Sequence, residues 1–163
     1  MGKWKRKLKR RFKGVKFYNA RLTEVQEDVS IGSGSRVGSF TMIQSGAKIS
    51  ENVTVGSHCN ICNQVEIGAN SSIQTGCHIT RGVKIGENCF LGPGVITMND
   101  KYMDGAITPP TIGNNTRIGG GSCIFPDVKI GHNVIIGAGS IVTKDVPDNT
   151  EAWGNPAKTK SKI

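Results

Sequence analysis

The chain has 163 residues, 36% hydrophobic and 6% aromatic, with 21 Lys+Arg against 12 Asp+Glu for a formal net charge of +9. That length reads as one domain, no apolar stretch approaches a membrane span, and the N-terminus lacks the apolar core of a signal peptide. Five cysteines, an odd number with a lone CxxC at Cys59 and Cys62 and no second pair at metal-ligand spacing, speak against a disulfide framework or a zinc site and for a reducing cytoplasm.

The first segment, residues 1–20, holds the whole charge excess. Lys3, Lys5, Arg6, Lys7, Lys9, Arg10, Arg11, Lys13 and Lys16 are nine basic residues, and the other twelve match the twelve acids, all of which lie from Glu24 onward. Trp4, Leu8, Phe12 and Val15 fall on one arc of a helix. A basic amphipathic segment suits contact with a membrane surface through residues 3–16, or an acidic partner. The plainer readings are a solvated tail or a helix that packs its apolar stripe on an open end of the main domain. Nucleic acid is not the expected partner.

From Val25 an aliphatic residue recurs every six positions, through Ile31, Val37, Ile43, Ile49 and Val55 to Leu91, and again from Ile112 to Val142. Position five of each unit is small or β-branched, as in Ser35, Thr41, Cys59 and Val65, and position two is often glycine, as in Gly32, Gly38, Gly92 and Gly119. This period is the mark of a parallel β-helix. Each unit supplies a short strand and a corner, and three units close a triangular coil. The aliphatic residue and position five point inward. Glycine at position two suits a tight turn with positive φ. A slip of one residue would put Ile outside, so the pattern fixes its own register. The expected fold is all-β, a triangular β-helix of about six coils over residues 21–158, with a tail at 159–163.

The beat breaks once. Thr97 opens a unit, yet Ile112 follows fifteen residues later, which is six plus nine. Residues 97–111 are therefore an excursion loop that returns in phase, with a polar root at Asn99-Asp100. A long loop on a rigid repeat scaffold often carries function.

The chain ends on Ile136-Gly137-Ala138-Gly139-Ser140-Ile141-Val142-Thr143-Lys144-Asp145-Val146-Pro147, then Gly154-Asn155-Pro156-Ala157-Lys158. With the hexads, this closing motif resembles the left-handed β-helix (hexapeptide-repeat) acyltransferases. The left hand of the coil comes from the resemblance and departs from the usual crossover rule. The resemblance implies acetyl-CoA as donor and a trimer with sites between subunits. It carries donor contacts onto Gly120, Ala138, Thr143, Lys144 and Lys158, with Lys160 and Lys162 near the place of a further basic residue. Asn60-Ile61-Cys62 and Gly92-Pro93-Gly94-Val95-Ile96-Thr97-Met98-Asn99-Asp100 look most like the nucleotide-sugar N-acetyltransferases, which serve surface polysaccharide synthesis. Two departures stand out: Asn63-Gln64 where those enzymes often have Ser-His, and Met103-Asp104 where they often have Pro-Arg.

Acetyl transfer from a thioester needs a neutral nucleophile, a stabilised oxyanion and a place for one proton. A sugar amine is already a good nucleophile, whereas a hydroxyl needs a base, usually His. The loop contains no His. Asn99 is then expected to hydrogen-bond the acceptor amine or the thioester, His78 to accept the proton from an outward corner position one coil below the loop root, and a backbone N–H near Gly119-Gly120-Gly121 to hold the oxyanion. His58 is read as sharing the His78 face, and His132 as lying on another. The expected activity is acetyl-CoA-dependent N-acetylation of an amino sugar, nucleotide-linked, with no metal. The alternative is sugar O-acetylation on the same fold. A γ-type carbonic anhydrase would need closely spaced histidines that are absent, an ice-binding β-helix a threonine ladder that is absent, and a scaffold without catalysis would not bind CoA.

Overall fold

A computed structural model describes residues 7, 8 and 10–162, with the side chains of 161 and 162 left out. The hexads fold into three parallel walls. The first wall runs from Lys16–Phe17 through Arg36–Val37, Thr54–Val55, Ser72–Ile73, Phe90–Leu91, Arg117–Ile118 and Ile135–Ile136 to Thr150–Gly154. The second wall stacks Glu24–Val25, Met42–Ile43, Asn60–Ile61, His78–Ile79, Ile96–Thr97, Cys123–Ile124 and Ile141–Val142. The third stacks Ser30–Ile31, Lys48–Ile49, Glu66–Ile67, Lys84–Ile85, Thr111–Ile112 and Lys129–Ile130. Every strand of the prism pairs in parallel with the one a coil away, aliphatic on aliphatic, as in Ile61↔Ile79 and Ile67↔Ile85. The aliphatic stack is buried along the body of the prism, with Ile43, Ile61, Ile73, Ile79, Ile118 and Ile124 at 0% exposure, and only Val25 at the N-terminal end is partly buried.

The first wall has eight parallel rungs, so the prism makes about eight turns where the hexad count predicts about six. The two extra rungs sit at the ends and do not keep the eighteen-residue beat. Phe17 pairs with Val37 twenty residues on, and Ile136 with Ala152 sixteen residues on. The last rung then folds back through an antiparallel strand, Ala157–Lys162, that closes the edge of the first wall.

The glycines at position two do not have positive φ. The next coil crowds them instead: a Cβ on Gly92 would lie 2.5 Å from the Gly120 backbone nitrogen, and one on Gly113 would lie 2.6 Å from the Gly131 carbonyl carbon. The left-handed residue is the one at position four. On the corner from the third to the first wall it is asparagine six times in succession: Asn52, Asn70, Asn88, Asn115, Asn133 and Asn149, all at φ between 53° and 60°. Asn tolerates this region better than other side chains, which is why it recurs where glycine is not used.

Position five does more than fit a narrow corner. Ser35, Thr41, Ser71 and Thr116 donate through Oγ to the position-two carbonyls of the next coil at 2.7–3.0 Å. The thiols of Cys59, Cys77 and Cys89 do the same to Gln74, Gly92 and Gly113. No buried side-chain N or O among the described residues lacks a partner. The Cys59/Cys62 pair is divided across the wall, with Cys59 inward and buried and Cys62 outward.

The N-terminal segment caps the prism. Lys7, Leu8, Arg10 and Arg11 are helical, and the Phe12 N–H donates to the Leu8 carbonyl at 2.9 Å. Leu8, Phe12 and Val15 are buried in the core, and Phe12 meets Phe17 at 5.9 Å between ring centroids. The apolar stripe therefore covers the open end of the coil. Trp4, Lys3, Lys5, Arg6 and Lys9 lie outside the described residues. Among the described residues no helix is long and apolar enough to cross a membrane.

Candidate functional site

The excursion leaves the corner between the second and third walls. Thr97 is fully buried, and its hydroxyl accepts the Thr80 N–H at 2.8 Å and pairs with the Thr80 hydroxyl at 2.9 Å, which pins the last wall residue before the chain departs. The neck is narrow: Thr108 N–H donates to the Asn99 carbonyl at 2.7 Å, and Asp100 bridges Ile107. Beyond it, residues 101–108 are all exposed, Tyr102 and Met103 among them.

Asn99 and Asp100 stand at that neck with different duties. The Asn99 amide nitrogen donates to the Arg81 carbonyl at 3.1 Å. A carbonyl cannot donate, so this partner fixes which end of the amide is nitrogen and leaves Oδ1 as the acceptor. Asp100 Oδ1 accepts from Tyr102 and Asp104 N–H at 3.3 Å, and Oδ2 from Gly105 N–H at 2.9 Å. Those backbone donors, Gly105 first, hold its carboxyl below the usual range. Asp100 is thus a weak base that shapes the loop. Its depressed folded pKa adds to loop order above the ordinary carboxylate range and loses that effect as pH falls through the folded value.

His78 projects outward from the second wall, on the strand and not at a corner, with Ile96 as its partner one coil nearer the loop. Its Nε2 lies 3.8 Å from Cys62 Sγ, and Cys62 lies 3.9 Å from Asn60 Oδ1. Burial pushes the Cys62 thiol up, so it faces His78 as a neutral group. Asn99 is bonded one coil across to Arg81, three residues beyond His78, so the two predicted residues share the approach to the loop without touching. His58 does not share the flat face with His78. It occupies a corner at φ 56°, stacked on Phe40 at 4.8 Å. His132 is on the far corner, where Nδ1 accepts the Asn114 N–H at 2.9 Å and the proton is left on Nε2. The Cys62–His78 and Thr80–Thr97 contacts were not foreseen, though their separations of sixteen and seventeen residues, near one coil, carry the signal.

The predicted donor residues border the second wall on both sides near the C-terminal end. Gly120 and Ala138 sit on successive coils of the corner from the first to the second wall, where Gly139 N–H donates to the Gly120 carbonyl at 2.9 Å. That corner is bare. Gly94, Gly121 and Gly139 stack there, and a Cβ on any of them would meet nothing within 4 Å. Thr143 and Lys144, both exposed, lie on the opposite corner, the one that carries the loop. Lys158 is exposed on the terminal hairpin opposite Trp153, whose ring lies 5.8 Å from the Lys160 ammonium. Within one chain these residues do not converge. Among the described residues no three His, Cys, Asp or Glu side chains gather to hold a metal ion.

Residues 46–81, 64–97 and 109–144 match the family described as bacterial transferase hexapeptide (six repeats), which is more than half of the chain. The chain belongs to the bacterial hexapeptide transferases. It is an enzyme of the acetyltransferase kind that this family's solved structures represent. It is similar over 91% of its length to 83% of a hexapeptide transferase family protein from Anaplasma phagocytophilum (20% identity, TM-score 0.59), a likeness of fold. A maltose O-acetyltransferase from Clostridium difficile 630 is 28% identical over 97% of this chain and 74% of its own (TM-score 0.54). A galactoside acetyltransferase in complex with coenzyme A is 32% identical over 76% of this chain and 64% of its own (TM-score 0.57).

Proposed function

We propose that this hexapeptide transferase moves an acetyl group from acetyl-CoA to the amine of an amino sugar, carried on a nucleotide and destined for surface polysaccharide. The observation that carries the choice of an amine is the loop root. Its polar side chains are an asparagine with an acceptor oxygen and an aspartate held acidic by its backbone N–H donors, Gly105 first. Residues 97–111 contain no histidine. A hydroxyl acceptor would need a strong base there; a neutral amine does not.

Acetyl-CoA supplies the acetyl group already activated as a thioester. Asn99 Oδ1 would take an N–H of the acceptor and aim its lone pair. As the new C–N bond forms and the C–S bond breaks, the nitrogen gives up one proton to His78, the candidate base one coil below the loop root, and that proton passes on to the sulfur, which leaves as the thiol. The bare corner at Gly94, Gly121 and Gly139 suits a slender pantetheine arm, since an acyl donor can lie against backbone there. Lys144, on the loop corner, and Lys158, on the terminal hairpin, are exposed cations fit for phosphates once a neighbouring chain brings the corners together. The separation of Gly120 and Ala138 from Thr143, Lys144 and the loop supports a trimer. A cleft between neighbouring chains would bring one chain's bare corner against the next chain's loop corner.

The test is thiol release from acetyl-CoA with paired acceptors, the same nucleotide sugar bearing an amine or a hydroxyl. The amine is expected to turn over at least about a hundredfold faster, and Asn99→Ala and His78→Ala each to lose about tenfold or more. Faster turnover of the hydroxyl sugar would replace this reading with the O-acetyl one, and full activity of both variants would remove the site assignment.

A further inference from the structure

The excess of basic residues lies in the first sixteen positions of the sequence, and the described part of that segment shows what one end of the prism exposes. Because Leu8, Phe12 and Val15 are spent on the core, the segment cannot lie in a bilayer on its apolar stripe. Arg11 is spent as well: its guanidinium donates to the Val29 carbonyl at 3.3 Å and lies over the Phe12 ring. Among the described residues the outward rim includes Arg10, Lys13, Lys16 and Arg21, all exposed. Among them stand three large exposed apolar side chains, Tyr18 at 59%, Leu22 at 42% and Phe40 at 56%. Phe40 holds a φ of 58°, where a bulky side chain is strained and where later coils of the same corner carry glycine. Leu22 and Phe40 edge a cleft of about 560 Å³ that also takes in Lys7, Arg11, Arg21 and Met42.

We infer that this end of the prism docks on an anionic lipid bilayer, with Tyr18, Leu22 and Phe40 entering the headgroup layer inside the basic rim. Aromatic and aliphatic tips ringed by Lys and Arg match a surface that is charged outside and apolar just beneath. A threaded polyanion such as nucleic acid fits worse, because Glu24 and Glu27 line the same cleft. The loop root on the second wall lies four strand spacings, roughly 19 Å, from the first strand of that wall, and three spacings, roughly 14 Å, from the coil that carries Phe40. The site therefore opens to water, and docking localises the enzyme without presenting a lipid-borne acceptor. The inference stands apart from the transferase reading.

Co-sedimentation of the full chain with phosphatidylcholine vesicles, with and without 30% phosphatidylglycerol, tests it. Binding is expected to the anionic vesicles alone and to vanish in 0.5 M salt. Arg10→Gln/Lys13→Gln/Lys16→Gln should weaken it about a hundredfold, at roughly fivefold per residue. Tyr18→Ser/Phe40→Asn, which leaves the charge unchanged and gives position 40 a residue suited to its φ, should weaken it several-fold. Acetyl transfer and melting temperature should hold in both variants, and the salt arm removes the same attraction should a variant melt early. No binding to anionic vesicles, equal binding to both kinds, binding indifferent to both variants and to salt, or displacement by duplex DNA at equal phosphate concentration would each overturn the inference.

Discussion

At the residue scale the hexad asks for more than an aliphatic residue inside and a small one beside it. Thr116 shows what position five contributes. Its hydroxyl donates to the Gly131 carbonyl at 2.8 Å and accepts the Val134 N–H at 3.2 Å, with no exposure to water. Thr116→Val keeps the shape and strands both backbone groups. The expected cost is about 2–4 kcal/mol, since each buried orphan costs about 1–3 kcal/mol. Thr116→Ser, which keeps the hydroxyl, should cost about 1 kcal/mol for the lost methyl. Urea melts of the two variants check this, and equal losses would mean that the bridge contributes nothing beyond packing. The sequence pattern shows the small inward residue plainly but cannot separate valine from threonine by role, because both fit the space. Position four was equally hidden. Asn, Asp, Gly, Phe40, His58 and Gln64 share no polarity or size, and only the backbone reveals that all of them occupy the left-handed region.

At the scale of elements the nine-residue excursion is separable from the wall. The walls on either side are in register, with Ile85 paired to Ile112 and Thr97 to Ile124 across the interruption. Replacing residues 101–110 by one valine would leave Thr97-Met98-Asn99-Asp100 followed by valine and Thr111, a regular hexad with aspartate at the left-handed fourth position. That protein is expected to fold with a melting temperature equal to or above the parent's, to bind CoA, and to lose acetyl transfer by about a hundredfold or more, as a displaced reacting geometry does. Calorimetry with CoA and the thiol-release assay read the two properties separately. Retained transfer would show that the loop is no part of the site. The position and length of this element were legible from Thr97 and Ile112 alone, since phase is conserved across it. Its neck was not, because the bonds that close it, Thr108 to Asn99 and Asp100 to Ile107, join residues that no hexad spacing relates, and those that pin its root, Asn99 to Arg81 and Thr80 to Thr97, join different coils. The end coils escaped for a related reason: at Phe17 and Ala152 the spacing between rungs departs from eighteen, and a period cannot report where it is broken.

Across the whole molecule the three walls differ in what they offer a neighbour. The first presents Lys16, Arg36, Arg117 and Glu151, and the third presents Lys48, Glu66, Lys84 and Lys129, with Glu66 bridging two lysines at 3.4 and 3.8 Å. After Glu24 the second wall presents Met42, Asn60, His78, Ile96, Cys123 and Ile141, none of them a Lys, Arg, Asp or Glu. Depletion of charge at the centre of a face is what an interface between copies requires. The same face lies between the bare corner and the loop corner, so pairing it in a threefold ring would complete each site from two chains. Two consequences are measurable. Ile141→Arg points outward and leaves the core intact, yet should convert a trimer to monomers by light scattering and abolish transfer. Asn99→Ala and Ala138→Trp, each impaired alone, should complement when co-expressed, because random mixed trimers return about a quarter of the sites with both native borders. Complementation separates a shared site from a trimer that merely stabilises each chain: in the latter case every site contains one damaged residue or the other, and mixing restores nothing.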